Sequence, residues 1–283
     1  IMDGNGRWAK DKGMNRIFGH KNAITAVRDT IEAAAEIGTE AITLYAFSTE
    51  NWKRPKLEVN ALMGLLINSL NKELSTLQKN EVRLNTIGDI NTLPNNAQKT
   101  LKEVVSKTKN NKKIVLTLAL SYGAREEIVN TIKNISKKVV NKELSIEEID
   151  EKIINNHLYT FNLPDVDLMI RTSGEQRVSN FLLWQMAYAE LYFTNILWPD
   201  FRKEHFYDAI IEYQNRERRF GKSFCNEFLS WRSLGSLLAA LLELSWGLFS
   251  SCSLEALLWP SGDLLLPSGS LLGPSGGLLG LFW

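Results

Sequence analysis

The sequence predicts an α/β fold: one domain built on a central, mostly parallel sheet of about six strands flanked by helices. Three observations carry this. Short apolar runs rich in strand-forming residues alternate along the chain with amphipathic stretches long enough to be helices. Connections of helical length return each strand in the same direction as the last, which makes the sheet parallel. A hydrophobic fraction of 44% against 23% charged residues supplies a sizeable core without marking a membrane protein.

In order, Ile1-Met2 reads as the remnant of a strand entering the turn Asp3-Gly4-Asn5-Gly6. From Lys21 to Ile37, Ile24, Val27, Ile31 and Ala34 recur at helical spacing, and Gly38 stops the helix. Ala41–Phe47 is a strand. Pro55 sits where a helix can begin, and Leu62, Leu66, Leu70, Leu74 and Leu77 form the stripe behind it. Val82–Ile87 is a strand ending at Gly88, and Pro94–Lys107 a helix with Leu101, Val104 and Val105 inward. Ile114–Leu120 is a buried strand closed by Tyr122-Gly123. Arg125–Val140 is amphipathic, Ser145 and Glu148 form a capping box, Val166–Ile170 is strand-like, and Lys203–Arg219 is a polar-faced helix.

This body, residues 1–222, is expected to form the α/β domain, and residues 223–283 a separate low-complexity tail. Up to Lys222 the chain carries 32 basic and 28 acidic residues; beyond it Arg232 faces Glu227, Glu243, Glu255 and Asp263. A whole-chain charge of +1 implies no nucleic-acid partner. From Pro260 the tail repeats PSGDLLL, PSGSLLG and PSGGLLG, and a proline at every seventh position blocks a helix. Ser233–Phe249 is apolar but short, with Glu243 at its centre, which argues against a membrane span. Both cysteines, Cys225 and Cys252, lie in the tail, so the body has no disulfide framework, as suits a reducing cytosol. His20, His157 and His205 show no zinc-type spacing. No signal peptide is visible at Ile-Met-Asp-Gly.

Four motifs fall where such sheets bind ligands, beyond the strands' carboxyl ends. In Asp3-Gly4-Asn5-Gly6-Arg7-Trp8, glycines let backbone N–H groups approach an anion, Asp3 is a hard oxygen ligand suited to Mg²⁺, and Arg7 and Arg16 can fork onto phosphate; the alternative is a plain turn with solvated arginines. In Ser48–Pro55, Ser48 and Asn51 can hydrogen-bond a phosphate and Trp52 can wall off an apolar chain, or the loop merely packs its Trp. Arg171 and Arg177, six apart around a glycine turn with Ser179 beyond, can make a second diphosphate cradle; the alternative is a solvated loop. Glu190 among apolar neighbours needs a partner, either a cation or an arginine.

The strings DGNGRWAK, GHK, YAFSTENWKRP, SYGAREEI, RTSGEQRVSNFLLWQMAYAELYF, LWPDF and RERRFG follow one another over residues 1–221. In order and spacing they resemble the cis-prenyltransferase family, close to bacterial undecaprenyl diphosphate synthases. The resemblance implies an enzyme that condenses isopentenyl diphosphate onto an allylic diphosphate such as farnesyl diphosphate, forming a cis-polyprenyl diphosphate used as a cell-wall lipid carrier. It implies that Asp3 binds Mg²⁺ and acts on the allylic diphosphate, which Gly4, Asn5, Gly6, Arg7, Trp8, Arg16 and His20 hold. Ser48, Asn51, Trp52 and Arg54 match a mobile catalytic loop in which Asn51 assists proton removal. Arg171, Arg177 and Ser179 match the isopentenyl diphosphate site, and Glu190 a second Mg²⁺-binding carboxylate. It further implies a homodimer with RERRFG near the contact, a cytoplasmic enzyme, and loose membrane association through the lipid product. A hydrocarbon product needs an apolar tunnel, for which Leu62, Leu66, Leu70, Leu116, Leu118 and Leu120 are candidate lining or plain core. The family's first strand is longer than Ile1-Met2, so this strand reads as truncated. No DDxxD motif is present, which disfavours the all-helical trans-prenyltransferases. The rival readings are a non-catalytic subunit, or an inert fragment, of the same fold.

Overall fold

The structure, a computed structural model, describes residues 1–219; the readings made for the tail lie outside them. By its contacts the chain falls into two compact units, Ile1–Gly221 and Lys222–Trp283.

Helix α1 (Asn5–Asp11) opens at Gly4, whose φ of 102° lies in the left-handed region. A Cβ on Gly4 would stand 2.9 Å from Leu197 Cδ2 and 3.0 Å from Ser173 Cβ, so this position needs glycine for both conformation and space. Helix α2 (Arg16–Glu36) is capped by Asn15, whose side chain accepts the Phe18 N–H. It crosses α1 at Gly19, where a Cβ would meet the Asn5 carbonyl oxygen at 2.0 Å.

Strand β1 (Ala41–Ser48) leads through a 3₁₀ turn (Thr49–Lys53) into helix α3 (Lys56–Lys79), with Pro55 at its N-cap. Strand β2 (Val82–Ile87), helix α4 (Asn95–Thr108), strand β3 (Ile114–Tyr122) and helix α5 (Ala124–Val140) follow. The capping box of Ser145 and Glu148 forms, but it closes a 3₁₀ turn, Ile146–Glu148, and Asp150 caps the next short helix, α6 (Glu151–Asn155). Strands β4 (Leu168–Arg171) and β5 (Glu190–Phe193) then precede helix α7 (Lys203–Gln214), which stops short of the expected Arg219.

The fold class is as expected, but the sheet is not a single layer of about six strands. Among the described residues there are five, arranged as a parallel three-stranded sheet in the order β1-β3-β2 and a parallel pair, β4-β5. The first residues, Ile1–Asp3, belong to neither sheet. Their backbone follows β4, with the Thr172 N–H donating to Ile1 O and the Ile1 amine to Ile170 O, while the Trp198 N–H donates to Asp3 O.

Strand β3 is buried along nearly its whole length, as a central parallel strand must be. Its alternation sorts the core. Leu116, Leu118 and Leu120 face α2, α3 and α4, while Ala119 joins Ile87, Met169, Phe181 and Leu182 in a second apolar cluster with Ala124 at the start of α5. In β1 a register shift between Tyr45 and Phe47 breaks the alternation. It sends Phe47 into the first cluster and Tyr45 into the second, where Tyr45 stacks on Phe181 at 4.4 Å. Ser48 thereby ends opposite Tyr122, and the loop that follows leaves the carboxyl end of the sheet.

Candidate active site

Asp3 follows the short extended segment, and Arg171 ends β4, so both lie at one carboxyl edge. Arg171 is 3% exposed. Its Nη2 donates to Asp3 Oδ2 at 2.9 Å, and its Nη1 donates to Ser179 Oγ at 2.7 Å and to the Arg177 carbonyl. The Gly4 N–H donates to Asp3 Oδ1 at 2.7 Å. Burial opposes ionisation of Asp3, but the Arg171 hydrogen bond, the Gly4 N–H and the charges of Arg171 and Arg7 outweigh it and hold the carboxyl below its usual range. The glycine-turn cluster and the arginine cluster are thus in direct contact.

Two residues that sequence reasoning passed over make the join. Thr172 is fully buried; its Oγ1 accepts the Asp3 N–H at 3.0 Å and donates to the Asp3 carbonyl at 2.7 Å. Glu175 pairs with Arg7 at 3.1 Å and with Arg177, so one carboxylate holds an arginine from each cluster. Arg7 also donates to Ser173 Oγ. Both residues lie inside RTSGEQR, so the only available signal was their place between the two arginines. The loop is conformationally costly: Ser173, Ser179, Asn180 and Leu182 all have positive φ. Strain of this kind persists where surrounding contacts over-determine it.

Beside Asp3 opens a cavity of about 310 Å³. Asp3, Asn5, Gly6, Arg16, His20, Asn51 and Arg54 form its polar end, and Glu58 gathers two of them, Arg54 at 3.0 Å and Arg16 at 3.6 Å. His20 is lowered to about 4 by burial and the nearby charges of Arg54 and Arg16, only partly offset by Glu58, so its imidazole is neutral at pH 7. Away from this end the walls are apolar. All six expected leucines, Leu62, Leu66 and Leu70 from α3 and Leu116, Leu118 and Leu120 from β3, line the cavity.

Other expected residues stand elsewhere. Trp8 stacks on Phe18 at 5.9 Å in the α1–α2 packing and does not line the cavity. Trp52 packs edge-on to Phe47 at 4.9 Å and donates from Nε1 to Ser121 Oγ at 2.8 Å, facing a separate polar pocket; its indole packs, as the plainer alternative had it. Asn51 Oδ1 accepts the Ser48 backbone N–H at 3.2 Å within the capping box of the 3₁₀ turn, so the Asn51 side chain is engaged by the loop's own backbone. Glu190 pairs with Arg216 at 3.1 Å. It lies opposite Leu168, three residues and roughly 10 Å of strand from Arg171, so within this chain it is not beside Asp3.

Mg²⁺ fits Asp3 on donor chemistry. Among the described residues no cluster of three or more His, Cys, Asp or Glu side chains could cage a metal. A lone carboxylate among arginines suits a hard cation that takes its remaining ligands from substrate phosphates and water.

A parallel α/β domain that sets an apolar cavity beside adjoining arginine-rich clusters is a binder of amphipathic diphosphates. The family described as "Putative undecaprenyl diphosphate synthase" matches residues 1–221. The isoprenyl transferase of Clostridium tetani (strain Massachusetts / E88) is 54% identical over 221 residues, which cover 78% of this chain and 87% of that protein. A ditrans,polycis-undecaprenyl-diphosphate synthase ((2E,6E)-farnesyl-diphosphate specific) of Pasteurella multocida (strain Pm70) is 50% identical over 221 residues, 78% of this chain and 92% of that protein. Among solved structures, lavandulyl diphosphate synthase from Lavandula x intermedia in complex with dimethylallyl diphosphate superposes with a TM-score of 0.76 at 36% identity, over 78% of this chain and 96% of that one. The chain belongs to the cis-prenyltransferase family of isoprenyl transferases and undecaprenyl diphosphate synthases.

Proposed function

We propose that this chain is a Mg²⁺-dependent cis-prenyltransferase that adds isopentenyl diphosphate repeatedly to an allylic diphosphate, with farnesyl diphosphate as starter and undecaprenyl diphosphate as product. The observation that supports it best is the contact between Asp3 and Arg171 beside the apolar cavity. Two diphosphates held on adjoining clusters place the reacting carbons next to each other. Such orientation is worth up to roughly 7–11 kcal/mol of barrier.

The allylic diphosphate lies over Gly4, Asn5, Gly6 and Arg7, with Arg16, Arg54 and His20 at the cavity's polar end and the hydrocarbon in the cavity. Isopentenyl diphosphate lies on Arg177 and Ser179, with Arg171 oriented by Asp3 behind them. The allylic C–O bond breaks as the diphosphate leaves with the electron pair; the isopentenyl double bond attacks the carbon left behind, and a proton is lost. Asn51, released from Ser48 as the loop shifts, is positioned to help that proton leave. Glu175 yields Arg7 and Arg177 to the incoming anions. When bound at Asp3, Mg²⁺ neutralises charge building on the leaving diphosphate. Residues 1–222 form the catalytic domain, and the enzyme works as a cytoplasmic homodimer supplying a cell-wall lipid carrier.

The test is incorporation of labelled isopentenyl diphosphate by the 283-residue protein, with farnesyl diphosphate and Mg²⁺. Chain extension that chelator abolishes and Mg²⁺ restores is expected. Asp3→Asn, which keeps the side chain's shape, is expected to lower turnover by about 10²–10³ with circular dichroism unchanged. No incorporation by the unaltered protein overturns the proposal; unchanged turnover in Asp3→Asn removes Asp3 from the chemistry.

A further inference from the structure

Away from its polar end the cavity's apolar lining carries charge where a hydrocarbon binder has no evident need of it. Arg28 of α2 and Glu73 of α3 both line it, and they join as a two-point pair: Arg28 Nε donates to Glu73 Oε2 at 2.9 Å and Nη2 to Oε1. Glu32 also reaches the lining, but Lys203 of α7 holds it at 2.9 Å. Among the described residues only two ion pairs join α2 to α3: Arg16–Glu58 at the polar end and this one.

Its depth is legible from the helices. Arg28 stands two turns beyond His20, roughly 12 Å along the axis, and Glu73 three turns beyond Leu62, roughly 16 Å. The lining continues past the pair to Ile31, Thr76, Leu77 and Asn80, so a chain growing from the polar end passes the pair before it reaches the bottom. The Glu73 side chain is 18% exposed and that of Arg28 42%, so the carboxylate is the more covered of the two and the guanidinium reaches solvent. A carboxylate beside hydrocarbon is tolerable only while paired.

We propose that the Arg28–Glu73 pair is a strap across the α2–α3 seam that sets how far the product grows. Tied, it fixes the gap between the helices and keeps Glu73 neutralised as the hydrocarbon slides beneath it. This rests on the prenyl-transfer reading above, and it assigns a specificity role to two residues remote from both diphosphate clusters.

The experiment compares products by chain length, alongside the rate of the first addition, in the 283-residue protein. Arg28→Met leaves an unpaired carboxylate facing the hydrocarbon and is expected to shorten the products. Glu73→Gln unties the strap without leaving an unpaired carboxylate and is expected to lengthen them. The exchange Arg28→Glu with Glu73→Arg restores the pair and is expected to return the parent distribution. The rate of the first addition, read in every variant, separates a change in product length from a loss of catalysis. Unchanged lengths with normal first addition, or a charge exchange that behaves like Arg28→Met, overturn the strap alone. No first addition by the unaltered protein overturns the prenyl-transfer reading and the strap with it.

Discussion

His20 shows how one buried side chain carries information about both stability and binding. Its ordinary value is 6.5 and its folded value about 4, chiefly through burial. Between those values the unfolded chain takes up a proton that the folded chain refuses, so stability is complete above pH 6.5 and falls as pH drops towards 4. Thermal unfolding followed from pH 7 to 4 is expected to lose part of its slope in His20→Gln, and an imidazole proton resonance is expected to titrate with a midpoint near 4. A bound diphosphate would raise that midpoint, since an anion beside the ring favours its charged form. Asp3, Arg7, Arg171 and Arg177 were legible as individual residues because their types announce phosphate and metal chemistry. Thr172 and Glu175 were not, since a threonine that clamps a neighbour's backbone and a glutamate that bridges two arginines look like any others in a polar loop.

At the scale of elements, β2 was readable to the residue, because Gly88 punctuates a short run of strand-forming residues. It is an edge strand, and its solvent-side donors are met by α4: the Leu84 N–H donates to the buried Thr108 Oγ1 at 3.1 Å, and that hydroxyl donates to the Val104 carbonyl at 2.9 Å. Thr108→Val keeps the shape and strands the Leu84 N–H. It is expected to cost about 1–3 kcal/mol in urea unfolding, with turnover per folded molecule unchanged. Helix α1 escaped notice because Gly4 and Gly6 read as a turn; the helix begins inside that turn, with Trp8 and Ala9 buried against α2. Strand β5 escaped because its four residues open on a charged glutamate. Helix α7 ends at Gln214, before the run Arg216–Arg219, where Arg216 and Arg218 turn back to Glu190 and Asp167.

At the scale of the whole molecule, the basic residues of the chain thin out after Lys222, where Arg232 alone remains. If the catalytic domain is complete within residues 1–222, a chain ending at Lys222 is expected to match the 283-residue protein in melting temperature and to within about twofold in turnover. A lower melting temperature in the shorter chain would assign the tail a structural role. The largest departure from expectation is also at this scale. A single central sheet was foreseen, and the strands instead form β1-β3-β2 and β4-β5, a choice of partners made across whole elements.

The sequence by itself determined the α/β class and the family, because periodicity, punctuation and motif strings are local properties of the chain. Only the tertiary structure decided that Asp3 meets Arg171 across 168 positions, that Glu190 belongs to Arg216, and that Arg28 is tied to Glu73. Those are choices between partners separated by whole elements, and the packing of helices on the sheet makes them.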